Sequence, residues 1–306
     1  MYSQELHNAK LLEILDEFLR VCKEHHLTYY LAYGTCLGAV RHKGMIPWDD
    51  DIDVLMPRRD LEKLYNMRHE VFGKDFKLAS YRDDANHLYC MMKLESLTST
   101  VIEHVNPIYV GGVYIDIFPL DNVMSEEEDA AWTQEVRSMN YKYDIYSVCP
   151  PPKTYWIKYL RYKFRRSKWL RTNPLQQWDN LIMQHKDELT NYVKDYHNSW
   201  PWRALFKREV FGDGVEMEFD GRICIVPADY DTYLRISYGD YMQLPPKEKR
   251  VLKHSYLFED STRRWNKDEL KSVVEKIQKD NDYHFSLLWE CSMIWGKIKR
   301  ILHIAL

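Results

Sequence analysis

The chain has no paired cysteines. Cys22, Cys36, Cys90, Cys149, Cys224 and Cys291 stand far apart, with no C-x-x-C spacing, which excludes a zinc ribbon. No run of 18 apolar residues occurs, so no membrane-spanning helix is expected. The N-terminal MYSQELHNAK lacks the apolar segment of a signal peptide. These absences predict a cytoplasmic protein with free thiols. Neither sign of charge dominates: 43 Lys and Arg stand against 46 Asp and Glu, for a net charge of −3. A globally basic nucleic-acid binder is thereby excluded, and no nucleic-acid partner is expected. No internal repeat or low-complexity tract is found.

What is present describes an ordinary folded chain. Hydrophobic residues make up 45% and charged residues 29% of 306 positions, enough for a sizeable core in one large domain or two modest ones. Aromatic content is high at 14%, with 23 Tyr and 10 Trp. Buried cores, sugar or base stacking and membrane interfaces all use such residues, so composition does not choose among them.

The most informative stretch runs from Tyr29 to Pro57, YYLAYGTCLGAVRHKGMIPWDDDIDVLMP. Tyr29 to Tyr33 reads as a strand, Gly34-Thr35 as a turn, and Arg41-His42-Lys43-Gly44 as a small basic loop. A second apolar run then carries Asp49, Asp50, Asp51 and Asp53. On a strand, Asp51 and Asp53 point to one face, where both carboxylates can meet a divalent cation that relieves their repulsion. The glycine turn offers backbone N–H groups and space for a phosphate. Asp49 and Asp50 read as solvated or structural, although Asp49 has even spacing with Asp51 and Asp53.

Around this stretch the periodicity predicts a helix over 4–26 ending at His25-His26, a helix over Asp60–Arg68, and strands over 76–81 and 88–94. Lys93, in the second strand, reads either as a phosphate contact or as an ordinary solvated lysine. In VGGVYIDIFPLD, residues 110–121, Gly111-Gly112 turns the chain and Asp116 interrupts an apolar strand. It reads either as a hydrogen-bonded structural residue or as a third carboxylate joining Asp51 and Asp53. A helix start follows at Ser125 with acidic residues in its first turn, and Pro150-Pro151-Pro152 breaks the chain. Lys153 to Thr172 then holds eight Lys or Arg, no Asp or Glu, and interleaved aromatics. It fits an anionic membrane surface, an acidic polysaccharide, or a solvated helix. A helix over about 174–197 and a turn at Trp200-Pro201-Trp202 come next. Asp220-Gly221 signals a hairpin between Val215–Phe219 and Arg222–Val226. A helix follows Tyr230, then a loop at Tyr238-Gly239-Asp240, with Lys249, Arg250 and His254 beyond it. A helix is expected over 266–304, its end WGKIKRILHIAL basic and amphipathic.

GTCLGAVRHKGMIPWDDDIDVLMPR (Gly34 to Arg58) resembles the signature of LicD-type transferases. The likeness continues in GVYIDIFPLDNV, DGRICIVPADYDTYL and YGDYMQLPPKEKR, and so spans most of residues 25–120 and 218–254. These enzymes transfer phosphocholine from CDP-choline, and relatives such as the fukutin-related proteins handle other CDP-alcohols. The family resembles a branch of the nucleotidyltransferase fold: a Gly-Ser or Gly-Thr turn, Asp-x-Asp on the next strand, and a carboxylate on a later one. Gly34-Thr35, Asp51-x-Asp53 and Asp116 fit that pattern.

The resemblance implies an α+β fold, with a nucleotidyltransferase-like mixed sheet flanked by helices. It implies a catalytic core over 1–121, a mainly helical insertion over 122–214, and a completing segment over 215–306. It implies a CDP-alcohol donor, and a sugar or glycan acceptor, lipid-linked or free, as in lipopolysaccharide or teichoic acid. Asp51 and Asp53 would hold one or two Mg²⁺ ions, with Mn²⁺ the substitute. Asp116 would complete a second metal site or take the acceptor proton. Gly34 and Thr35 would contact phosphate, Arg41 and Lys93 would offset charge on the leaving group, and Trp48 or a tyrosine would face a choline ammonium. Asp240 would touch acceptor or nucleotide. Outside the resemblance, the basic aromatic pattern of 153–172 adds an expectation of peripheral attachment at the inner membrane face. The rivals are an NTP-using nucleotidyltransferase, a D-x-D glycosyltransferase and a non-catalytic carbohydrate-binding module.

Overall fold

A computed structural model describes residues 3–84, 86–105, 108–143, 156–197, 204–252 and 256–277. The elements, in chain order, are α1 (Gln4–Glu24), β1 (Tyr30–Leu31), α2 (Tyr33–His42), β2 (Asp53–Pro57), α3 (Arg58–Val71), β3 (Phe76–Ala79), β4 (Met92–Ser96), β5 (Thr100–Val105), β6 (Ile108–Gly111) and β7 (Tyr114–Val123). They continue as α4 (Glu126–Tyr143), α5 (Trp156–Arg171), α6 (Pro174–Ile182), β8 (Tyr192–Lys194), β9 (Phe206–Lys207), β10 (Val215–Phe219), β11 (Arg222–Val226), α7 (Tyr230–Tyr238) and β12 (Phe258–Asp260). The class is the mixed α+β one expected.

The main sheet runs β1-β2-β7-β4-β3, and β8 and β9 extend it from the far end of β7. β2 and β7 pair in parallel, whereas their other neighbours are antiparallel. One face of the central strands is wholly apolar: Val54, Met56, Leu94, Ile115 and Ile117 lie on it by register and are all essentially inaccessible. α1 covers one side with Leu11, Ile14, Leu15, Phe18 and Val21, spaced on one helical face. Its Ser3 cap accepts the Leu6 N–H. A second cluster, built on Trp132, Val136, Trp178, Ile182 and Tyr196, packs α4 and α6 near the end of β7.

Those two parts are joined by buried charge. Arg58 donates to both oxygens of Asp121 at 2.6 and 3.0 Å, and lies 3.3 Å from Asp179 of α6. Arg82 reaches the same Asp179 at 2.8 Å. Burial works against the Arg58 charge, but Asp121 and Asp179 outweigh it and raise its pKa. Each buried ion is therefore paired, the condition under which such groups are tolerated.

Several local expectations change. Gly34 and Thr35 are not a turn: they lie in the first turn of α2. The chain changes direction one residue earlier, at Tyr33, whose φ is 45° and whose N–H donates to Tyr233 Oη at 3.1 Å. The glycines of α2 serve close packing instead. A Cβ at Gly38 would lie 2.5 Å from the Gly44 carbonyl oxygen. Asp51 precedes β2, so its i,i+2 relation to Asp53 is not that of one strand. The strand expected over 88–94 begins at Met92, and the helix expected to reach 197 ends at Ile182. There the sheet wins, because Tyr192–Lys194 pair with Asp121–Val123 at the end of β7. Arg41 and His42 belong to α2, and only Lys43, at φ 59°, leaves it.

The hairpin forms with the expected bounds. Asp220 and Gly221 both have positive φ, 47° and 75°, the condition for a two-residue hairpin turn. Asp220 also accepts from Met45 N–H at 2.8 Å and donates its own N–H to the Lys43 carbonyl. The hairpin turn thus clamps the loop that leads from α2 to the acidic run. The Pro150–Pro152 break, Lys153–Tyr155, the Trp200–Trp202 turn, His254 and the amphipathic C-terminal end lie outside the described residues. Of the last helix, residues 267–277 are helical.

Candidate active site

The acidic residues converge where β2 and β7 begin. Asp53 opens β2 and is the register partner of Asp116 on β7. Lys93 on β4 is in turn the register partner of Asp116. The three form one row across three strands, and in-register residues on neighbouring strands share a face. The turn Ile46-Pro47-Trp48-Asp49, closed by Asp49 N–H to the Ile46 carbonyl at 2.9 Å, brings the rest of the acidic run back toward the row. Asp49, Asp50 and Asp51 each offer a carboxylate oxygen, all within 4.8 Å of one another. Burial pushes the Asp53 carboxyl well above the ordinary carboxylate range, and the charges of Asp51, Asp116, Asp49 and Asp195 push it the same way. Crowded carboxylates with hard oxygen donors are the donor set that Mg²⁺, Mn²⁺ or Ca²⁺ prefers, so this cluster is a candidate metal site.

α2 supplies the framework. Thr35 Oγ1 accepts the Asp53 N–H at 2.9 Å in a buried setting, which ties the first turn of α2 to the first residue of β2. At Gly34 a Cβ would lie 2.5 Å from Asp49 Oδ2. Glycine is required there because the Asp49 carboxylate rests against the start of the helix. That end carries partial positive charge and favours an anion. Asp50 is held from behind, since buried His7 on α1 bonds its carbonyl through Nε2 at 2.9 Å and Glu259 on β12 through Nδ1 at 2.7 Å.

The two candidate cations are placed differently. Lys93 is buried and bonds both oxygens of Glu103, at 2.9 and 2.8 Å. Its Nζ lies 3.5 Å from the centre of the Tyr114 ring and 3.9 Å from Asp116 Oδ1. Burial alone would lower its pKa, but Glu103 and Asp116 raise it instead. Lys93 therefore meets the acidic row through Asp116 rather than through open solvent. Arg41 is half-buried at the end of α2 and donates to the Tyr241 carbonyl at 2.7 Å. Burial, then the nearby Arg250 charge, lower its pKa. Trp48 has the Arg250 guanidinium 5.2 Å from its ring centre, so one face already has a cation. Asp240 is exposed in the loop after α7.

Two residues near the cluster escaped the sequence reading. Asp195, just after β8, accepts from Tyr33 Oη at 2.5 Å and adds its charge to those around Asp53. Its segment was expected to be helical; the alternation in Tyr192-Val193-Lys194 was the available signal. Desolvation at Tyr238, the last residue of α7, and then the charges of Asp53, Asp49 and Asp51 raise its pKa, although 41% of the residue is exposed. It lies in the YGDYM block, but nothing in that block singles it out.

Residues 26–155 match the family described as LicD/FKTN/FKRP, nucleotidyltransferase domain. The lipopolysaccharide cholinephosphotransferase LicD of Haemophilus influenzae is 27% identical over 267 residues, covering 79% of this chain and 92% of that protein. An uncharacterised protein of Rickettsia typhi is 27% identical over 111 residues, which cover 36% of this chain and 34% of that one. A Rickettsia prowazekii protein, also uncharacterised, is 36% identical over 50 residues, or 16% of this chain and 19% of its own. The matched family region contains α2, the acidic run, Lys93 and Asp116. Residues 26–155 thus carry the match to the LicD family, and most of the chain is similar to a LicD cholinephosphotransferase.

Proposed function

We propose that the protein transfers a phospho-alcohol, phosphocholine first among the candidates, from a CDP-alcohol to a sugar hydroxyl of a cell-surface glycan. CMP is the other product. The observation that carries this reading is the meeting of the Asp49–Asp51 carboxylates with the Asp53–Asp116 pair at the start of α2. The likeness to a lipopolysaccharide cholinephosphotransferase along most of its length supports the choice of donor and acceptor. The same features support a nucleotidyltransferase-like core over 1–121, completed by 215–306, with 122–214 inserted.

In the reaction an acceptor oxygen forms a bond to the phosphorus that bears the alcohol. The bond from that phosphorus to the CMP oxygen breaks, and the acceptor proton passes to a carboxylate of the cluster. Such transfers need alignment and charge neutralisation more than covalent help from protein. Asp51, Asp53 and Asp116, with Asp49 alongside, would hold one or two divalent cations, Mg²⁺ by preference. Bound there, the cation would neutralise pyrophosphate oxygens and stabilise the leaving group. Asp116 has the Lys93 ammonium on one side, so we assign it to the ligand set rather than to proton transfer. Thr35 keeps Asp53 in register, and Gly34 makes room for the Asp49 carboxylate at the helix start. Arg41 stands at the other end of α2, where it would meet the nucleotide side of the donor.

The test offers CDP-choline, CDP-ribitol, CDP-glycerol, UDP-sugars and NTPs in parallel to purified protein with Mg²⁺ and an acceptor glycan. CMP release from a CDP-alcohol is expected. Turnover of UDP-sugars or NTPs alone would sink the reading.

A further inference from the structure

α5 packs inward with one side and shows apolar residues on the other. Tyr162 is buried, and Tyr159 and Arg166 are half-buried, on the inner side. Trp156, Ile157, Leu160 and Phe164 are 65%, 58%, 55% and 72% exposed. At about 100° per residue these four fall within roughly a third of the helix circumference. A solvated helix carries charge on its outer face; here the outer face carries large apolar side chains. The helix also holds seven Lys or Arg and no Asp or Glu. Arg161, Lys163, Lys168 and Arg171 are exposed and border the apolar strip.

Either feature alone admits several explanations, but together they select one. An acidic polysaccharide would satisfy the cations and leave the apolar strip in water. A neutral apolar partner would cover the strip and leave the cations unanswered. An anionic bilayer surface answers both, with phosphates at the level of the cations and acyl chains below them. We propose that α5 lies in the headgroup plane of an anionic membrane, with Trp156, Ile157, Leu160 and Phe164 inserted and the bordering Lys and Arg at the lipid phosphates. This goes beyond the phosphotransfer reading and does not depend on it. Among the described residues no helix is long and apolar enough to cross a membrane, and contact of this kind needs none.

The experiment is flotation of the full chain with vesicles of phosphatidylcholine alone, or of phosphatidylcholine mixed with phosphatidylglycerol. Binding to the mixed vesicles is expected at low salt, with at least about tenfold less on the neutral ones. It should be largely lost at about 1 M salt, where charges are screened beyond about 3 Å. Leu160→Asp with Phe164→Asp should weaken it about tenfold or more. The melting temperature should stay unchanged, because both side chains already face solvent. Lys163→Glu with Lys168→Glu should act in the same direction. Equal binding to both vesicles, binding to neither, indifference to both variants, or capture by dextran sulfate without vesicle binding would each overturn the proposal.

Discussion

Asp53 and Asp116 are register partners on adjacent parallel strands, although 63 residues separate them in the chain. Sheet geometry thus forces two carboxylates together in a buried place, where each disfavours the charge of the other. Asp53→Asn and Asp116→Asn are expected to lower CMP release by at least about a hundred- to a thousandfold. Asp53→Asn should leave the metal-free protein as stable as before or more so, since one repelling charge is gone, whereas Asp116→Asn also takes a counter-charge from buried Lys93. Added Mg²⁺ should raise the melting temperature of the parent chain and not of the variants. At a hundred times its dissociation constant a ligand contributes about 2.7 kcal/mol. Fluorimetric melts with and without Mg²⁺ check this, and an active double variant would remove the pair from the site.

Gly34→Ala separates packing from propensity. In a helix, alanine is favoured over glycine by up to about 1 kcal/mol. The added methyl, however, would sit 2.5 Å from Asp49 Oδ2 and must move that carboxylate. Turnover and Mg²⁺ affinity should fall while the melting temperature holds or rises. Unchanged turnover would show that the place of Asp49 is immaterial.

Lys93 is expected to matter first for stability. Lys93→Met leaves Glu103 and Asp116 without their buried counter-charge and should cost about 3–5 kcal/mol. Adding Glu103→Gln should recover part of that loss, because only Asp116 then stays uncompensated. Urea denaturation of the single and double variants measures it. Equal stability of Lys93→Met and the parent would mean that the ammonium is not committed to these carboxylates.

His185 sets a pH dependence away from the acidic row. Its Nδ1 bonds Glu188 at 2.7 Å and its Nε2 bonds Glu128 at 2.9 Å, and the Glu188 bond is the first cause of its raised pKa. A raised folded value means that its stabilisation is complete below the ordinary histidine pKa of about 6.5. That stabilisation is lost as pH rises through the folded value. The melting-temperature gap between the parent and His185→Gln should be widest on the acidic side and close on the alkaline side. A gap that widens with pH would refute the assignment. Glu188 is partly exposed, so the gap should be modest and should shrink in salt.

The sequence by itself determined α1 and the β10–β11 hairpin, because each rests on periodicity or turn chemistry within a short window; the acidic run was legible from residue type, and the mixed class from the family resemblance. Spacing also marked Asp116, a lone carboxylate in an apolar strand. Tertiary structure decided what these residues do to one another. Gly34 looked like a turn residue because glycine is common in turns; in the fold it makes room for Asp49, which comes 15 positions later. Asp51 looked like a strand neighbour of Asp53, but the strand starts only at Asp53 because its pairing with β7 starts there. Lys93 read either as a phosphate contact or as a solvated lysine; the fold buries it beside Asp116 and bonds it to Glu103. For Asp195 the alternation in Tyr192-Val193-Lys194 signals only a strand, since its nearness to Asp53 depends on β8 joining the end of β7. Chemistry that rests on residue type was legible along the chain. Chemistry that rests on two distant strands sharing an edge required the sheet.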